Sequence, residues 1–171
     1  MFQDEARLGR IQEPKRCWAP PKTRPLVGQQ WIREYTYAYG AVSPLDGVAD
    51  FFILPAVNAQ AMNLFLAQLA QRHGDEYLFI FLDGASGHKA TALRMPANIG
   101  IMTLPPYCPE LNPTEHIWDE IREKFFANVV FDSLEAVEDH LIEALLFMEN
   151  NPSIVQSITG FKWIVDVLLN S

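Results

Sequence analysis

The chain has 171 residues, 49% of them hydrophobic and 20% charged. That is enough for one domain with a sizeable core, and too apolar for a disordered chain. No apolar run reaches the ~18 residues of a membrane span, and no signal peptide follows Met1. Cys17 and Cys108 have no metal-ligand spacing, so a protein of the reducing cytoplasm is expected.

The formal net charge of −8 argues against a nucleic-acid partner, but the charge is polarised. Arg7, Arg10, Lys15, Arg16, Lys22, Arg24 and Arg33 face only Glu13 within their own stretch, whereas residues 132–149 carry six acids and no Lys or Arg. The basic stretch is either a solvated loop or an arm that contacts phosphates. Trp18 and Trp31, within or beside it, either stack on bases or anchor the loop.

In chain order, Phe2-Gln3-Asp4 reads as the end of a strand with no lead-in, as in one part of a longer functional protein. Residues 7–30, polar and rich in Pro, read as a loop or arm. Residues 33–42 and 48–54 read as a hairpin across the turn Ser43-Pro44-Leu45-Asp46-Gly47. Met62, Phe65, Leu66 and Leu69 repeat at helical spacing within 59–73. Residues 77–82, "YLFIFL", read as a strand covered on both faces. A short helix over about 88–94, a strand over 99–104 and a helix from Pro113 to about Phe126 follow. A long helix over 133–148 has Ser133 as its N-cap, and the tail reads as amphipathic helix. This order implies an α/β fold, a mixed sheet with helices on its faces.

Three carboxylates stand out by position. Asp4 lies on the first strand. Asp83 follows "YLFIFL" directly, where a carboxylate cannot serve a core. Glu115 lies in the first turn of the helix that the proline-rich "LPPYCPELNPTEHIW" delivers. Each has a plain alternative. Asp4 competes with its neighbour Glu5, Asp83-Gly84 is an ordinary turn pair, and Glu115 can close a capping box on Asn112 and suit the helix dipole. As a set, three hard oxygen ligands from separate elements suit Mg²⁺ or Mn²⁺. Two such ions about 3.5–4 Å apart support phosphoryl transfer.

"FQDEARLG", "LDGASGHKA" and "LPPYCPELNPTEHIW" resemble the three catalytic motifs of DDE transposases. The closest resemblance is to the bacterial insertion-sequence branch of the mariner-like superfamily, and it extends to "WAPPKTRP", "YGAVSPLDG" and "SITGFKWI". It implies one RNase H-like catalytic domain over 1–171, with a five-stranded mixed sheet, a basic arm at 7–32 and C-terminal helices at 133–171. The family's N-terminal helix-turn-helix region has no counterpart here.

The resemblance makes Asp4, Asp83 and Glu115 the catalytic acids and the ligands of two Mg²⁺ ions, with Mn²⁺ as the substitute. It makes Glu5 the acidic neighbour of the first Asp, outside the triad, and His88 a residue that orients the second Asp, contacts DNA or is merely structural, while Asn112 and Trp118 match motif residues that shape the loop and anchor its helix. DNA contacts would come from Arg7, Arg10, Lys15, Arg16, Lys22, Arg24 and Lys89. The partners would be transposon-end and target DNA, together with a second copy or a full-length transposase, and no membrane. Two departures stand out. Gly84 replaces a common Asn, and the 31 residues between Asp83 and Glu115 are a few fewer than usual.

The implied activity is metal-dependent phosphodiester hydrolysis at transposon ends followed by strand transfer into target DNA. Two rivals remain. One is a non-catalytic remnant that binds DNA or inhibits a full-length transposase. The other is a general RNase H-like nuclease without preference for element ends.

Overall fold

A computed structural model describes residues 1–11, 14–83 and 93–169. The short helix expected over 88–94 falls largely outside these residues, as do His88 and Lys89. Five strands, β1 (Phe2–Ile11), β2 (Trp31–Val42), β3 (Ala49–Leu54), β4 (Leu78–Leu82) and β5 (Ile99–Thr103), form one mixed sheet in the order β3-β2-β1-β4-β5. β1, β2 and β3 are antiparallel neighbours, whereas β4 runs parallel to both β1 and β5.

β1 corrects the expected boundary of the arm. Arg7 to Ile11 belong to the strand, because Ala6 and Leu8 alternate into the core while the backbone pairs with Tyr35 to Ala38 of β2. The arm is therefore shorter, leaving β1 after Ile11 and rejoining the sheet at Trp31. The β2–β3 hairpin closes through Gly47, whose φ of +75° glycine adopts without steric cost and whose N–H donates to the Ser43 carbonyl.

Helices cover the two faces unequally. α1 (Ala59–Arg72) is N-capped by Asn58, whose side chain accepts from the Ala61 amide at 2.9 Å. Its buried Met62, Phe65, Leu66 and Leu69 pack under Tyr39, Ala41, Leu78, Ile80 and Leu82. The opposite face carries α2 (Thr114–Lys124) and α3 (Leu134–Glu149) over β1, β2 and β3. Ser133 caps α3 by accepting from the Ala136 amide at 3.0 Å. The tail is α4 (Pro152–Thr159) and α5 (Lys162–Leu169), separated at Gly160.

"YLFIFL" is thus not covered on both sides. Leu78, Ile80 and Leu82 face α1, but α2 and α3 sit over β1–β3 rather than β4, and Phe79 stays 59% exposed. Among the described residues, no helix is long and apolar enough to cross a membrane.

Candidate active site

β1 and β4 run in parallel, with Phe2 opposite Phe81 and their rings stacked at 4.8 Å. Asp4 and Asp83 each lie two residues further along. Because side chains repeat every second residue, both fall on the face that Phe2 and Phe81 share. That is the face α2 covers, as the burial of Ala6 and Leu8 beneath α2 and α3 shows. Pleating also separates Asp4 from Glu5. Glu5 is paired with Tyr39, whose ring packs on the α1 side, so Glu5 faces away from α2.

The start of α2 is stitched to β1 at three consecutive residues. Thr114 Oγ1 donates to the Phe2 carbonyl at 2.9 Å, and Asn112 Nδ2 donates to the Gln3 carbonyl at 2.9 Å. Trp118 Nε1 donates to Asp4 Oδ2 at 2.9 Å. Thr114, Asn112 and Trp118 are all buried, so these bonds lie where water competes least. The backbone approach is set by a short 3₁₀ turn at Pro109–Leu111. The Asn112 N–H donates to the Pro109 carbonyl, so a Glu115 capping box does not need to satisfy it. Pro113, rather than Asn112, occupies the cap position, while the Asn112 side chain accepts from the Thr114 amide at 3.2 Å.

Electrostatics mark the same place. Asp4 is pushed up from 3.8 to about 7, first by burial, then by Glu115 and Glu5. Hydrogen bonds from the Glu5 amide and Trp118 oppose this only partly. Glu115 is also raised. Burial is the largest cause, and Asp119 and Asp83 add to it against the opposing Arg122 and His116. Among the described residues, no three His, Cys, Asp or Glu side chains are gathered closely enough to hold an ion outright. Mutual repulsion and burial, which raise Asp4 and Glu115, are what a divalent cation would relieve. All-oxygen donors suit a hard cation, so the donor chemistry fits Mg²⁺ or Mn²⁺.

The expected DNA contacts divide. Arg7 is exposed, with its guanidinium 4.6 Å from the Tyr35 ring centre. Arg16, Lys22 and Arg24 are exposed on the arm, and Trp18 is fully exposed rather than anchoring it. Arg10 is different. It donates to Glu34 at 2.7 Å and to the Phe131 carbonyl at 3.0 Å, so it holds the fold together. Lys15 is fixed through its backbone, its N–H donating to Asn128 Oδ1 at 2.8 Å.

Lys15, Arg7 and Arg122 together line a cleft of about 190 Å³ floored by Leu8 and Phe126. Arg122 was not anticipated from the sequence. Its signal was its place seven residues after Glu115, two helical turns along and on the same side of α2.

The model of the DDE superfamily endonuclease family matches residues 1–138. The chain belongs to this family. A protein of Sinorhizobium fredii (strain NBRC 101917 / NGR234), "Uncharacterized protein y4pE/y4sA", is 32% identical over 130 residues, covering 75% of this chain and 96% of that protein. Among solved structures, the Mos1 mariner paired-end complex with Mn is similar at a TM-score of 0.64 and 20% identity, covering 92% of this chain and 52% of that one. The Mos1 strand transfer complex is similar at 0.64 and 19% identity, covering 91% and 51%. The DDE-family fold here is RNase H-like, a five-stranded mixed sheet flanked by helices as in the catalytic domain of Mos1 transposase. The chain spans about half the length of the Mos1 chains it matches.

Proposed function

We propose that this DDE-family domain cuts DNA at transposon ends and joins the freed end to target DNA, with Asp4, Asp83 and Glu115 as its catalytic acids. The observation that carries this reading is the placement of Asp4, half-buried beneath α2, bonded to Trp118 and within the field of Glu115, on a strand parallel to the one that ends just before Asp83. Structural carboxylates are normally paired with cations, whereas acids pressed together mark a site awaiting positive charge.

Asp4, Asp83 and Glu115 would hold Mg²⁺, or Mn²⁺ in its place, as two ions. Such a pair lowers the pKa of the attacking water and stabilises charge on the attacking and leaving oxygens. The attacking water loses a proton to solvent as its oxygen bonds to phosphorus. The P–O3′ bond breaks and O3′ takes up a proton from solvent, leaving a 3′-hydroxyl and a 5′-phosphate. In the second step the 3′-hydroxyl attacks a target phosphodiester, losing its proton to solvent, and the target's own P–O3′ bond breaks, its freed O3′ taking up a proton. The family resemblance favours a TA dinucleotide as the target. The chain's residues supply geometry: the Thr114, Asn112 and Trp118 bonds to β1 fix Glu115 relative to Asp4. The cleft of Arg7, Lys15 and Arg122, with Arg16, Lys22 and Arg24 on the arm, would contact phosphates. The DNA partner would be held by a second copy or a longer transposase as well as by this chain.

The test is cleavage of DNA carrying the element's ends, with Mn²⁺, by wild type and Asp83→Asn, alone and with the longer transposase. Nicking at the ends by wild type and none by Asp83→Asn supports the proposal. Cutting without end preference would indicate a general nuclease. Binding without cutting in either setting, together with inhibition of the longer transposase, would instead support a non-catalytic partner.

A further inference from the structure

Gly40 stands directly opposite Asp4 in the β1–β2 ladder. A Cβ at Gly40 would lie 2.8 Å from Trp118 Cη2 and 2.9 Å from Phe51 Cε1, closer than real Cβ contacts come. The missing side chain is therefore the slot that admits the indole. Phe51 closes the slot from β3, edge-on to the indole with ring centres 5.7 Å apart. Trp118 is 1% exposed, and the one polar atom of its side chain, Nε1, donates to Asp4 Oδ2. A buried Trp normally finds a partner for its N–H, and many acceptors would serve. Here the acceptor is a carboxylate of the acid set, on a strand more than a hundred residues away in sequence.

We infer that Trp118, seated in the Gly40 slot, is a positioning residue that fixes the rotamer of Asp4 for its cation. This rests on the proposed role of Asp4. A carboxylate on a strand can turn about χ1 and χ2, and repulsion from Glu115 and Glu5 would rotate it away. The indole N–H holds one oxygen, so the group stays oriented before any ion arrives. Gly40 and Phe51 prevent the indole from swinging in turn. The ordering cost is thereby met by folding rather than by binding.

The test replaces Trp118 with β-(3-benzothienyl)alanine, which keeps the two-ring shape and puts sulphur where the N–H was, so that packing survives. Gly40→Ala is the companion, keeping the N–H but blocking its slot. Two readouts are taken on the full chain. In ¹⁵N-Trp NMR spectra, the Trp118 indole signal is identified as the one lost in the benzothienyl variant. It should exchange slowly with solvent and move in Asp4→Ala more than the signals of Trp18, Trp31 and Trp163. In Mn²⁺ titrations followed by electron paramagnetic resonance, both variants should bind 10–100-fold more weakly than wild type, the cost typical of losing a partner that orients a ligand.

An indole signal indifferent to Asp4→Ala overturns the inference. So does wild-type Mn²⁺ affinity in the folded benzothienyl variant, which leaves the acid set itself standing. Wild-type protein whose Mn²⁺ binding ignores Asp4→Ala overturns both the inference and the site on which it rests.

Discussion

The molecule holds two groups of acids, and they are built in opposite ways. At the junction of β3, α1 and α3, Asp50 is buried but bonded on both sides: Arg72 Nη1 lies 2.7 Å from Oδ1 and His73 Nε2 2.8 Å from Oδ2. Arg72 also reaches Glu149 at 3.3 Å, and His73 reaches Glu76 at 3.0 Å. Around Asp4, the charges that act on it among the described residues are those of Glu115 and, from the other face of the sheet, Glu5, and its two hydrogen-bond donors are neutral. The first group raises its cations, Arg72 and His73, above their usual pKa values. The second raises its acids, Asp4 and Glu115. A fold that supplies its own countercharge is stabilising itself. Acids that raise one another cost the fold stability, a cost that a bound cation would relieve.

The comparison breaks most sharply by removing one acid from each group. Asp83→Asn should lower cleavage roughly 10²–10³-fold or more, as losing a group that stabilises transition-state charge does, with the melting temperature nearly unchanged. Asp50→Asn should do the reverse. It should destabilise by about 2–4 kcal/mol, between the values for exposed and buried pairs, with cleavage per folded molecule retained. Chemical denaturation and a cleavage assay on the same samples check both. An Asp50→Asn variant that folds well but is inactive would erase the distinction.

The next effect concerns pH. Asp4 titrates near 7 in the metal-free fold and near 3.8 in the unfolded chain. Between those values the native state holds the extra proton, so Asp4's contribution to stability falls as pH rises from about 4 to 7. Asp4→Asn should therefore stabilise the metal-free protein at pH 8, on the order of 1–4 kcal/mol, with the gain vanishing near pH 4. Denaturation series at the two pH values measure it.

Smaller still, Arg122→Ala should weaken DNA binding evenly across sequences and lower the slope of log affinity against log salt by about 1. A fluorescence-anisotropy salt series reads this slope, and an unchanged slope removes Arg122 from the DNA path. The smallest effect is expected at His73. Burial alone would lower its pKa, but bonding to Asp50 and Glu76 more than offsets that, so the folded value lies above 6.5. Its contribution is present in full below 6.5 and is lost as pH rises through the folded value. His73→Gln should therefore destabilise the protein more at pH 5.5 than at pH 9.

Much of this architecture was legible because its signals are local. The α1 stripe of Met62, Phe65, Leu66 and Leu69, the Ser133 cap and the Gly47 turn each need only a few neighbouring residues. β1 was misjudged from Arg7 onward, since charged residues at alternate positions resemble a loop until the partner strand is known. Phe79 was expected in a core that α2 and α3 do not extend over, which is a matter of tertiary placement alone. At the candidate site, the placement of Asp83 after a strand and of Glu115 in the first turn of a proline-delivered helix was legible. The bonds from Asn112, Thr114 and Trp118 to β1 were not, because each joins residues more than a hundred positions apart. Gly40 and Arg122 acquire meaning only once β2 and α2 are set beside Asp4 and the cleft.

If the acids around Asp4 form a cation site and those around Asp50 do not, calorimetric titration of Mn²⁺ at pH 8 into wild type, Asp4→Asn, Asp83→Asn, Glu115→Gln and Asp50→Asn will separate the two groups. Saturable binding should appear in wild type and Asp50→Asn and be lost or strongly weakened in the other three. Equal binding in all five proteins would mean that Asp4, Asp83 and Glu115 hold no cation.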